Sequence, residues 1–107
     1  MSDGEQPPVA CSLSAGEYQA RLARIENLTR RTLRTHTRND LVLRLVYAPE
    51  AAGEVRRLVE QERTCCAFLT FDLDQRPNAV SVTITAPEAA RDSVDVLFGH
   101  FLSGFGR

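Results

Sequence analysis

The chain has 107 residues, 43% of them hydrophobic, and a formal charge of −1. That length suits one hydrophobic core rather than two, and near-neutrality provides no overall field for drawing in nucleic acid or an anionic membrane surface. No apolar run approaches the roughly 20 residues of a membrane span, and the acidic, proline-bearing start Met1–Pro8 does not read as a secretory signal.

Residues 1–10 carry Gly, Pro and acids without apolar periodicity and are expected to form a flexible tail to a single domain over 11–107. Ser14 and Glu17 have the spacing of a capping box, with Leu13 and Tyr18 as its hydrophobic staple. A first helix is predicted over 15–35, with Tyr18, Leu22, Ile25, Leu28 and Leu33 inward and Arg21, Arg24, Arg30, Arg31 and Arg34 largely around the other side. Thr35–Asp40 reads as a polar turn, and Leu41–Tyr47, rich in β-formers, as the first strand. Pro49 suits the first turn of a second helix whose stripe, Ala52, Val55, Leu58 and Val59, continues to Glu62, Cys65 and Cys66. Phe68–Leu73, a turn at Asp74–Asn78, and the alternation Val80, Val82, Ile84 predict a hairpin with one polar face. Pro87 opens a last helix with Ala90, Val94, Leu97, Phe98 and Phe101 on its apolar side.

The order helix, strand, helix, strand, strand, helix predicts an α+β fold, a small sheet with helices packed on one face. Its other face would carry Thr70, Asp72, Thr83 and Thr85, a surface that a second copy could cover in a homodimer.

The junction of the second helix with the next strand holds the adjacent pair Cys65-Cys66, and the third cysteine is Cys11. Three cysteines cannot all pair within one chain, and a reducing cytoplasm, the expected location, would keep them as thiols. Adjacent helical side chains point about 100° apart, but at a helix end two sulfurs can turn toward one soft ion. Thiolates select ions such as Hg(II), Cu(I) and Zn(II), and by the same chemistry As(III). Zinc fits less well, because a structural zinc site generally wants four Cys or His ligands at recognisable spacing. Cys11, Cys65 and Cys66 are therefore the candidate metal ligands, with Glu62, three and four residues before the pair, placed to tune the thiols. The competing reading of Glu62 is an ion pair with an arginine of the first helix, and that of the cysteines is core filling. His36 and His100 sit in no motif, which weakens the case for a histidine-activated thiol enzyme. The arginines over 21–38 come without stacking aromatics or a glycine-rich loop, so they read as a solvated face rather than a nucleic-acid surface.

The segment Glu62-x-x-Cys65-Cys66-x-Phe68-Leu69-x-Phe71, with Ala10-Cys11-Ser12-Leu13 and Thr85-Ala86-Pro87, resembles a family of small uncharacterised bacterial proteins often associated with mercury and other heavy-metal resistance functions. The resemblance spans about residues 9–101 and implies that Cys11, Cys65 and Cys66 form a metal-responsive set. The expected function is a cytoplasmic binding protein for a thiophilic metal, foremost Hg(II), rather than an enzyme: a buffer, carrier or resistance accessory. A thiol redox sensor or cysteine-dependent enzyme, and a dimeric interaction module with structural cysteines, are the alternatives.

Overall fold

A computed structural model describes residues 15–106 and gives an α+β fold. Helix α1 covers Ala15–Thr32, strands β1 and β2 Leu33–Asn39 and Val42–Tyr47, helix α2 Ala52–Cys65, strands β3 and β4 Thr70–Arg76 and Ala79–Thr85, and helix α3 Val94–Leu102. Short 3-10 segments, Pro49–Ala51 and Glu88–Ser93, lead into α2 and α3. The tail over 1–10, Cys11 and the Ser14 half of the capping box lie outside the described residues.

The sheet has four strands in the order β1-β2-β4-β3, every neighbouring pair antiparallel. The strand beyond the three expected is β1. Its sequence, Leu33-Arg34-Thr35-His36-Thr37-Arg38-Asn39, is exposed at every residue after Leu33, as befits an edge strand lacking the apolar alternation that marks a half-buried one. The strand claims the end assigned to the first helix, and the connection shrinks to Asp40-Leu41, where Asp40 takes a positive φ of 56°. Asp tolerates that left-handed conformation better than most residues. The second hairpin is also tighter than expected: Arg76 pairs with Ala79, leaving Pro77-Asn78 as its turn.

Register sorts the two faces. Leu43, Leu45 and Tyr47 of β2 stand opposite Ile84, Val82 and Val80 of β4, and Phe71 of β3 opposite Ile84, so these side chains share the buried face. Thr70 pairs with Thr85 and Asp72 with Thr83 on the other, polar face. The three helices supply Ile25, Leu28, Val55, Val59, Leu97, Phe98 and Phe101 to the core. Helices α1 and α3 are joined by the Thr29 hydroxyl, which donates to the Phe101 carbonyl at 2.9 Å in a buried setting. That carbonyl lies in the last turn of α3, where the helix itself offers no donor.

Replacing Thr29 with Val keeps the shape but leaves the carbonyl unsatisfied, with an expected loss of about 1–3 kcal/mol. Thr29→Ser, which keeps the bond and drops one methyl, should cost about 1 kcal/mol. Urea unfolding of the two variants measures both, and equal losses would show that the hydrogen bond is not what joins the helices.

Candidate metal centre

The last helical residue of α2 is Cys65, and Cys66 has already left helical geometry, with φ −124° and ψ 64°. Its amide still donates to the Glu62 carbonyl at 2.7 Å, while its own carbonyl accepts from Leu69 at 3.0 Å, so the chain turns at once into β3. This break lets adjacent side chains converge. Cys65 Sγ lies 3.7 Å from Cys66 Sγ and 3.8 Å from Glu62 Oε2. The two sulfurs and a Glu62 oxygen fall within 4.8 Å of one another. Cys66 and Glu62 are 0% and 1% exposed, whereas Cys65 keeps 8% and reaches a surface depression.

The sulfurs differ in state. Cys66 is one half of a disulfide, while Cys65 carries a thiol, and the distance between them excludes a bond linking the pair. The structure therefore brings together Glu62, Cys65 and Cys66 of the expected set. Cys11 lies outside the described residues.

Glu62 is held by Arg21 of α1. Nε donates to Oε2 at 2.8 Å and Nη2 to Oε1 at 2.7 Å, a two-pronged pairing in which both side chains are 2% exposed. Nη2 also points to Cys66 Sγ at 3.8 Å. The guanidinium lies over the rings of Tyr18 and Phe101, 5.6 and 6.0 Å from their centroids, which adds cation–π attraction in a water-poor setting. Of the two readings of Glu62, the ion pair with a first-helix arginine is present, although fully buried.

Arg21 is the residue that sequence reasoning misplaced. It was expected on the outer side of the helix with the other arginines, yet it follows Tyr18 by three and precedes Ile25 and Leu28 by four and seven, which is the inward face. A charged residue at inward spacing on each of two helices was the available signal for the pair.

Around the ion pair lies more buried polarity than the sequence suggests. Tyr47 is fully buried, with its hydroxyl lacking a partner among the described residues. Burial, and then the Glu62 charge, push its ionisation well above the usual tyrosine range. His100, half-buried, faces the Tyr18 hydroxyl through Nε2 at 3.2 Å. Burial and then the Arg21 charge lower its pKa, with Glu62 opposing, so the imidazole is held toward its neutral form. Arg21 and His100 thus belong to one polar neighbourhood.

Burial raises the Cys65 pKa, the Glu62 charge raises it further, and Arg21 pulls the other way. The thiol form is thereby favoured at neutral pH, unlike the depressed pKa of a reactive nucleophilic cysteine. No protein-family model matches this chain, and comparisons with curated proteins and solved structures found no match either.

Two outcomes follow from this arrangement. Removing one partner, as Arg21→Met or Glu62→Leu, should cost about 3–5 kcal/mol, while the double variant should recover most of it, because a lone buried charge is worse than none. Urea unfolding of the four proteins gives the coupling, and additive losses would mean the pair is not interdependent. Iodoacetamide labelling of Cys65, read by peptide mapping, should be slow at neutral pH. It should rise with a midpoint above the roughly 8.5 of a free cysteine. A midpoint below that value would contradict the environment described.

Proposed function

We propose that the reduced protein captures a thiophilic metal ion, Hg(II) foremost, between the Cys65 and Cys66 sulfurs. The observation that carries this reading is the 3.7 Å approach of the two sulfurs at the break of α2. Two soft donors side by side select a soft ion.

Charge balance favours a divalent ion that accepts two ligands. Each thiol loses its proton on binding, so two thiolates and Hg(II) sum to zero beside the already neutral Arg21–Glu62 pair. No net charge is then left in the buried site, which would be costly. Cu(I) on the same two thiolates leaves one negative charge, and As(III) calls for a third thiolate, a role open to Cys11. Zinc is disfavoured by the small ligand count. Glu62, engaged by both prongs of Arg21, acts in this account as a fixed negative charge that adds to burial in keeping Cys65 protonated until metal arrives, rather than as a ligand.

Cys66 enters this chemistry only after its disulfide is reduced, a step that takes two electrons and two protons from a thiol reductant. The physiological role is that of buffer, carrier or resistance accessory, in keeping with the motif resemblance. A second reading, a thiol redox sensor, draws on the placement of the Cys65 thiol against a disulfide sulfur. The raised pKa of Cys65 counts against rapid attack.

Titration of the reduced protein with Hg(II) under glutathione competition, followed by thiolate-to-metal absorption, distinguishes the readings. The wild type should bind one equivalent tightly. Cys65→Ser or Cys66→Ser should bind at least about 100-fold more weakly, since each loses the second, intramolecular bond. Unchanged stoichiometry and affinity in the double serine variant would rule out this site and leave the redox or structural reading.

A further inference from the structure

Cys65 lines a cleft between α1 and α2. At one end the cleft is a depression of about 540 Å³ whose wall includes Arg21, Thr64 and Cys65. A second depression of about 410 Å³, lined among others by Arg31, Glu54 and Arg57, adjoins it, and Arg24 and Gln61 form walls of both. Among the described residues Cys65 is the cysteine in this lining, while Cys66 has no exposed surface.

The charges along the cleft are not evenly mixed. Arg31 is paired with Glu54 at 2.8 Å, and Arg21 with Glu62. Arg24 and Arg57, both exposed, make no ion pair among the described residues. Arg57 belongs to the end away from the sulfur, whereas Glu17 and Glu60 line the end that holds it. Arg21 Nη1 is in addition a buried donor with no hydrogen-bond partner among the described residues. The cleft therefore combines a cysteine in its wall with two guanidinium groups unpaired among the described residues, Arg24 shared by both depressions and Arg57 farther along.

We propose that this cleft seats the thiol that delivers the metal, a zwitterionic, peptide-sized thiol whose sulfur lies at Cys65 and whose carboxylates lie on Arg24 and Arg57. The inference rests on the metal-capture reading above. Placement supports it: a thiol on the middle residue of such a molecule leaves a carboxylate toward each end, which suits two guanidinium groups set apart along the cleft, Arg24 bordering both depressions and Arg57 the outer one. The ammonium of such a molecule faces Glu60 at the sulfur end. The combined cleft lies within the roughly 300–1,000 Å³ of small-molecule sites.

The transfer is a ligand exchange without oxidation or reduction. The donor arrives as a metal ion held by two such thiolates. A bond forms from Cys65 Sγ to the metal, one donor sulfur–metal bond breaks, and the Cys65 proton ends on the released thiolate. A second exchange with the Cys66 thiol of the reduced protein frees the other donor molecule, again with its proton. The order follows from exposure, because of the two adjacent cysteines Cys65 lines the cleft and Cys66 does not.

The test compares mercury uptake by the reduced protein from its bis-glutathione complex and from its bis-2-mercaptoethanol complex, by quenched flow with protein mass spectrometry. The wild type should load from the glutathione complex about tenfold faster than Arg24→Gln/Arg57→Gln, consistent with two exposed charge contacts of ordinary strength. That advantage should shrink in about 0.5 M salt. Both proteins should load equally from the mercaptoethanol complex, which has no carboxylates. Equal loading of wild type and variant from the glutathione complex would overturn the cleft assignment while leaving the metal site intact. Failure of either protein to load from either donor would overturn the metal site and this inference with it.

Discussion

The buried pairing of Arg21 with Glu62 is the interaction on which the candidate site depends. One partner comes from α1 and the other from α2, two helices separated in sequence by a β-hairpin, and both are withdrawn from water. An ion pair in such a place is weak evidence of added stability, since desolvation offsets most of the attraction. What it does provide is position. The two-pronged geometry fixes the orientation of the Glu62 carboxylate, and through it the charge felt by Cys65 one helical turn later. The same guanidinium faces Cys66, so both sulfurs sit under the influence of one charge pair.

The end of α2 supplies the second requirement. Had the helix continued through Cys66, the adjacent sulfurs would have diverged around its axis. Because the backbone leaves helical geometry there, they lie side by side at the base of β3. The result is a small polar site walled by apolar core, with Cys66 fully enclosed and Cys65 in the wall of a cleft. That asymmetry separates access from retention. A soft ion bound across both sulfurs would be reached through Cys65 and shielded at Cys66, and loss of the ion would require the outer bond to open first.

Much of this was legible in the sequence, for reasons that also explain the remainder. The helices and the two central strands carry strong periodicity, and the apolar alternation of Val80, Val82 and Ile84 marked β4 directly. Strand β1 was not legible because its side chains are polar on both faces: what makes it a strand is pairing with β2, a tertiary circumstance. The vicinal cysteines and Glu62 stood out by type and spacing, and the helix break that aligns them was signalled by the change from helical to strand pattern. Arg21 was hidden among the four arginines of α1, the other three exposed, since periodicity weighs a charged residue as outward unless a partner is known. The half-buried His100 and buried Tyr47 near the pair were not legible for a different reason: they come from α3 and β2, and only the fold brings them close.

The central claim is that Cys65 and Cys66 together hold a soft ion. X-ray absorption at the mercury L-edge, on reduced protein loaded with one equivalent of Hg(II), counts the neighbouring atoms most directly. The account predicts a shell of sulfur alone, which loses a sulfur in Cys65→Ser and likewise in Cys66→Ser. A shell containing oxygen or nitrogen in the wild type, or one unaltered by both substitutions, would contradict it.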